Sequence, residues 1–113
     1  MQVDVVEDAQ GPWLRVRGPV DFAEAQALMK AGLVLLRAET AGPLRLDLAG
    51  VSFVDSSGLG AMLHLQKQAE HLGRSLELHS PSVAVLQTLH LTRLDQAFSL
   101  YHEGSSEGAL RSS

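Results

Sequence analysis

Leu44-Arg45-Leu46-Asp47-Leu48-Ala49-Gly50-Val51-Ser52-Phe53-Val54-Asp55-Ser56-Ser57-Gly58-Leu59-Gly60 contains two rhythms and the change from one to the other. Leu44 to Leu48 alternates apolar and charged residues, the two-residue period of a strand that buries one face. Ala49-Gly50 interrupts this alternation, and Val51 to Val54 resumes an apolar extended stretch. From about Ser57 to Leu72 the period becomes helical. Leu59, Met62, Leu65, Ala69 and Leu72 gather on one side of the wheel, and Gly60, His64, Lys67 and His71 on the other. Gln68 lies at the margin of the polar side, while Gln66 and Glu70 fall near the apolar one. Gly73 supplies a C-cap. A strand therefore runs directly into a helix N-terminus, with small polar residues at the junction. Gly58 and Gly60 leave that junction lightly covered, so backbone and hydroxyls can be approached.

Upstream, Val3 to Val6 and Leu14 to Val16 read as short strands around a turn marked by Gly11-Pro12. The second of these strands is expected to end at Gly18-Pro19. Asp21 then suits the N-cap of a helix running from Phe22 to about Glu39. Ala25, Leu28, Met29, Gly32, Leu35 and Leu36 form its stripe, and Leu33 and Val34 widen the apolar surface, with burial the expected cause. Gly32 costs about 1 kcal/mol against Ala in a helix interior, and a close approach to the sheet would justify that cost. Thr40 to Pro43 forms a turn.

Downstream, Ser75 to His79 alternates as a strand, and Ser80-Pro81 suggests a helix with serine at N-cap and proline at N1. Val83, Leu86, Leu89 and His90 or Leu91 would supply its stripe. Phe98 to Tyr101 makes a short last strand. The order ββαβαβα, closed by a fifth strand, predicts an α/β fold. Its single mixed sheet begins with a hairpin and has helices packed over it. Residues 1–103 form one domain, and 104–113, small and polar, read as a flexible C-terminal tail.

Composition narrows the function classes. At 113 residues the chain can bury a core unaided. It has no cysteine, so disulfide and thiol chemistry are excluded. The net charge of −4 is scattered along the chain, with no basic footprint for nucleic acid. The acidic opening Met1-Gln2-Val3-Asp4-Val5-Val6-Glu7-Asp8 does not suit a signal peptide. The longest apolar run, Ala31 to Leu36, falls far short of a membrane span. These features lead to the expectation of a cytoplasmic protein with no membrane insertion.

The junction fails three chemical tests. A nucleophile elbow needs glycine two residues before the serine, but Val54 precedes Ser56 and Asp55 precedes Ser57 at that spacing. His64 lies seven or eight residues further along the helix, on the order of 10 Å away at 1.5 Å per residue, too far to act as base. A P-loop would require a lysine beside Gly58 and Gly60. His64 and His71, two turns apart, cannot share one metal's first shell. What is left is a hydroxyl at a helix N-terminus, where unsatisfied N–H groups favour an anion. Asp55, Ser56 or Ser57 caps the helix. In the functional reading, one serine also accepts a phosphoryl group worth about −1.5 to −2 of charge. Asp55 beside it would sharpen the repulsion of a partner while the fold tolerates the charge.

Asp55-Ser56-Ser57-Gly58-Leu59-Gly60, following its strand, resembles the signature of STAS domains, most similarly that of bacterial anti-sigma factor antagonists. Gly18-Pro19-Val20-Asp21 resembles their Gly-Glu-Leu-Asp element, with Pro19 in place of the usual acid. The resemblance spans about residues 3 to 102. It implies a STAS fold and partner switching. An unphosphorylated antagonist binds an anti-sigma factor serine kinase, which phosphorylates the first motif serine, here Ser56, and a PP2C-type phosphatase reverses this. It further implies that Asp21 and Asp55 lie near the phosphorylation site. The expected partner surface comprises Asp21, Asp55, Ser57, Gly58, Leu59, Gly60, His64 and Lys67, with His71 at its border. The antagonist is not an enzyme and binds no cofactor of its own. The oligomeric state is left open. Ala61-Met62-Leu63-His64-Leu65 and Ala69-Glu70-His71-Leu72-Gly73 are also similar to a second STAS branch. That branch is a small subunit that binds the ATPase of a phospholipid-transport ABC transporter.

Overall fold

The computed structural model describes residues 1–38 and 42–102. Five strands form one sheet in chain order: β1 (Gln2–Asp8), β2 (Gly11–Val20), β3 (Leu44–Val54), β4 (Leu76–His79) and β5 (Ser99–Tyr101). β1 and β2 pair antiparallel, and the remaining neighbours pair in parallel. Each parallel pair is bridged by one helix: α1 (Phe22–Arg37), α2 (Ser56–His71) or α3 (Val83–Leu91). This is the expected mixed sheet, including its fifth strand. The expected tail at 104–113 lies outside the described residues.

The strands run longer than their patterns suggest. Gly11 and Pro12 open β2 rather than forming the turn, with Gly11 at φ +119° and opposite Asp8. Proline is tolerated at this second position because β2 pairs with β3 only from Trp13 onward, so no ladder donor is needed on that side. β2 continues through Gly18-Pro19 to Val20, and β3 crosses Ala49-Gly50 without a break. The reason lies in the register. Arg15 pairs with Asp47 but Arg17 with Gly50, and Gly18 pairs with Val51 but Pro19 with Phe53. Each shift inserts one extra residue into β3. Its core positions therefore run Leu44, Leu46, Leu48, Val51 and Val54, two steps of two followed by two of three. A strict two-residue reading sees an interruption where the strand only bulges.

β4 pairs with β3 only as far as Asp47 opposite His79. Beyond that point α3 covers the edge of β3: the Ser82 hydroxyl donates to the Val51 carbonyl at 2.7 Å, and the Thr88 hydroxyl to the Val54 carbonyl at 3.1 Å. The sheet edge is thus satisfied by side chains instead of a neighbouring strand. This tether resets the start of α3. Its N-cap is Ser82, not Ser80, and Ser80 adopts φ +50°. Val85 and Leu89 enter the core, whereas Val83 and Leu91 are exposed. β4 likewise begins at Leu76 instead of Ser75.

α1 and α2 pack against each other as well as on the sheet. A Cβ on Gly32 would lie 2.6 Å from both δ-methyls of Leu65. The close approach that Gly32 permits is therefore to α2, not to the sheet. α1 ends at Arg37, and Val34 is 68% exposed, so the widened stripe is only partly buried. On α2, Leu72 is the C-cap and is exposed rather than part of the stripe, with Gly73 following at φ +71°. Gln66, awkward on the wheel, donates to the Ala97 carbonyl at 2.8 Å.

No helix covers the other face of the sheet among the described residues. There Arg45, only 5% exposed, lies over Trp13 at 4.1 Å and bonds Gln10, Asp8 and the Gly11 carbonyl. His79 meets Trp13 edge-on and stacks on Tyr101. These contacts tie the hairpin turn to the middle of the sheet. Hydrogen bonds, first from the Gln10 backbone, then from Trp13 and Arg45, hold the Asp8 carboxyl below its ordinary value.

Candidate functional site

β2 and β3 leave the sheet side by side, because Val20 pairs with Val54. The next residue on each strand is an aspartate, and each aspartate caps a helix. Asp21, in extended backbone, accepts from the Glu24 N–H at 3.1 Å and starts α1. Asp55, in nearly the same conformation, accepts from the Gly58 N–H at 3.0 Å and starts α2. The Asp55 N–H also reaches the Val20 carbonyl at 3.4 Å, which ties the two turns together. Two helix N-termini, each carrying a carboxylate, thus share one edge of the molecule.

This geometry settles which residue caps α2. Of the three candidates, Asp55 does so through its side chain, and Ser56 takes the first helical position. The Ser56 residue is exposed, and Ser57 is half-buried. Ser57 lines a groove between α1 and α2 together with Phe22, Ala25, Met29, Gly60 and His64.

The expected partner residues separate into two groups. Gly60, His64, Lys67 and His71 are exposed on α2, and Asp21 and Asp55 are half-buried at the edge. Gly58 and Leu59 instead belong to the interior. A Cβ on Gly58 would lie 2.6 Å from the Val20 carbonyl oxygen, and Leu59 is a core residue. They lie beneath the exposed residues, because the first turn of α2 is pressed onto the ends of β2 and β3. Two exposed aromatic residues escaped the sequence reading: Phe22, 80% exposed at the start of α1, and Phe53, just before the junction. Their signal was weak, since a lone apolar residue at the margin of a stripe is ordinary. Among the described residues, no group of three metal-ligating side chains comes together.

A family model described as "Mlab, STAS domain" matches residues 3–102. The chain belongs to the STAS domain family. This STAS domain is 28% identical over 111 residues to the anti-sigma-B factor antagonist of Bacillus subtilis, covering 98% of each chain. Its fold is similar to that of an anti-sigma-factor antagonist (STAS) domain protein from Planctomyces limnophilus. The TM-score is 0.74 at 20% identity, over 88% of this chain and 89% of that one. It is also similar to the anti-sigma factor antagonist SpoIIAA in its unphosphorylated form. There the TM-score is 0.68 at 16% identity, over 96% and 94%. Among the described residues, no helix is long and apolar enough to cross a membrane.

Proposed function

We propose that this STAS domain is an anti-sigma factor antagonist that works by phosphorylation-controlled partner switching. Unphosphorylated at Ser56, it binds an anti-sigma factor serine kinase in the cytoplasm, and the sigma factor is released. Phosphorylated at Ser56, it loses the kinase, and a PP2C-type phosphatase restores it. The observation that supports this reading is the division of labour at the junction. Asp55 caps α2 through its carboxylate, so the exposed hydroxyl of Ser56 is not needed to hold the helix. A phosphate there adds about −1.5 to −2 of charge at a helix N-terminus, where the fold tolerates it. The same charge must be desolvated when a partner closes over it, which is costly without a compensating cation. The modification therefore acts on binding while the domain stays folded. Asp21, Ser57, Gly60, His64 and Lys67 border the contact, and Gly58 and Leu59 hold it in shape. The domain contributes no catalysis and no cofactor, since the nucleotide belongs to the kinase.

The test is incubation with the kinase and ATP, followed by intact-mass and fragment spectra. A single phosphate on Ser56 is the expected result, and phosphate confined to Ser57 would sink the assignment.

A second reading is favoured by the description of the matching family model. In it, the domain is the STAS subunit of a phospholipid-transport ABC transporter and binds its ATPase. Equal partner affinity of the native chain and Ser56→Asp, with a transport ATPase as the recovered partner, would select it.

A further inference from the structure

The groove between the N-terminal halves of α1 and α2 has a composition unlike the surface around it. Phe22, Met29, Ser57, Gly60 and His64 line it together with three alanines, and no Lys, Arg, Asp or Glu does. Its outer wall is Phe22, an aromatic ring left 80% exposed. Its inner side is Gly60, where a Cβ would meet nothing within 4 Å. Ser57 on this wall is the neighbour of Ser56, so the groove is continuous with the proposed switch. An exposed phenyl ring beside an uncharged, alanine-lined slot is a surface that gains by losing water. Its lining offers no carboxylate, ammonium or guanidinium to pair with a charged anchor, so an apolar one loses less on leaving water.

We propose that this groove anchors the kinase partner by receiving an apolar side chain, aliphatic or aromatic, from its surface. The inference rests on the partner-switching reading and divides the interface into two parts. The groove supplies affinity by apolar burial, as a buried anchor does in other interfaces. Ser56 beside it supplies control, because a phosphate at its rim must be desolvated before the anchor can seat.

Gly60 offers the cleanest test. A Cβ placed there meets no protein atom within 4 Å, so a side chain can begin from that position into the groove that Gly60 lines. The full chain, Gly60→Trp, Phe22→Ser and a control Leu91→Ser on the exposed side of α3 are titrated calorimetrically against the purified anti-sigma factor serine kinase. Gly60→Trp and Phe22→Ser are expected to weaken binding at least tenfold while both stay folded, Gly60→Trp melting no lower than wild type, and to raise the KM for Ser56 phosphorylation with kcat kept. Leu91→Ser should bind as wild type. Wild-type affinity in both groove variants overturns the groove assignment and leaves partner switching standing. A native chain that neither binds the kinase nor is phosphorylated by it overturns both readings together.

Discussion

Gly58 lies so close to Val20 that a single added carbon would reach 2.6 Å from the Val20 carbonyl oxygen and 2.7 Å from a Val54 methyl. Backbone at the end of a central strand cannot yield as a flexible side chain can. The first turn of α2 therefore sits on Val20 and Val54 with no side chain of its own at Gly58, and this contact presents Ser56 at the surface. Gly58→Ala should cost about 1–3 kcal/mol through overpacking. Gly60→Ala, two residues on in open space, should stabilise the domain by about 0.5–1 kcal/mol through helix propensity. Urea titrations of the two variants check the opposite signs. Equal effects would mean that the glycines are interchangeable helix positions.

Capping and switching belong to different residues, so they should separate in a stability measurement. Asp55→Ala removes the acceptor for the Gly58 N–H and should cost about 1 kcal/mol. Ser56→Ala, at an exposed first helical position, should stay within about 0.5 kcal/mol of wild type. Thermal melts of both decide it, and a larger loss for Ser56→Ala would return the cap to the serine.

α3 is tethered to the edge of β3 by hydroxyls. Thr88→Val keeps the shape of the side chain but leaves the Val54 carbonyl without the donor now at 3.1 Å. A part-buried acceptor left unsatisfied costs about 1–3 kcal/mol. Chemical denaturation should show a loss in that range. Hydrogen exchange should show faster opening of α3 than of α2. Unchanged exchange in α3 would mean that apolar packing alone holds it.

Tyr101 is the only tyrosine, so its titration can be followed by absorbance without overlap. Partial burial, then the Glu77 carboxylate beside it, pushes its phenol above the ordinary 10.0. A raised value in the folded state means that the stabilising contribution is complete below pH 10.0. It is lost as pH rises through the higher folded value. Glu77→Gln should move the midpoint down towards 10.0 without reaching it, because burial remains. A midpoint unmoved by Glu77→Gln would leave burial as the whole cause.

Sequence periodicity determined the architecture: a hairpin, then strands and helices in alternation, with Asp21 correctly placed as a cap. These features are legible because they depend on residues close in sequence, whose spacing fixes the exposed and buried faces. The Asp-Ser-Ser-Gly motif marked the junction for the same reason. Tertiary structure alone decided which elements meet. Two extra residues accommodated against β2 turned an apparent break at Ala49-Gly50 into one bulged strand. Free carbonyls on β3 drew Ser82 and Thr88 to themselves and moved the start of α3. Gly32 proved to admit Leu65 of α2, a contact between residues that no local pattern relates. The groove that Phe22 borders arises from the same pairing of α1 with α2. A surface shared by two helices is written on neither of them, because its composition depends on how closely they pack.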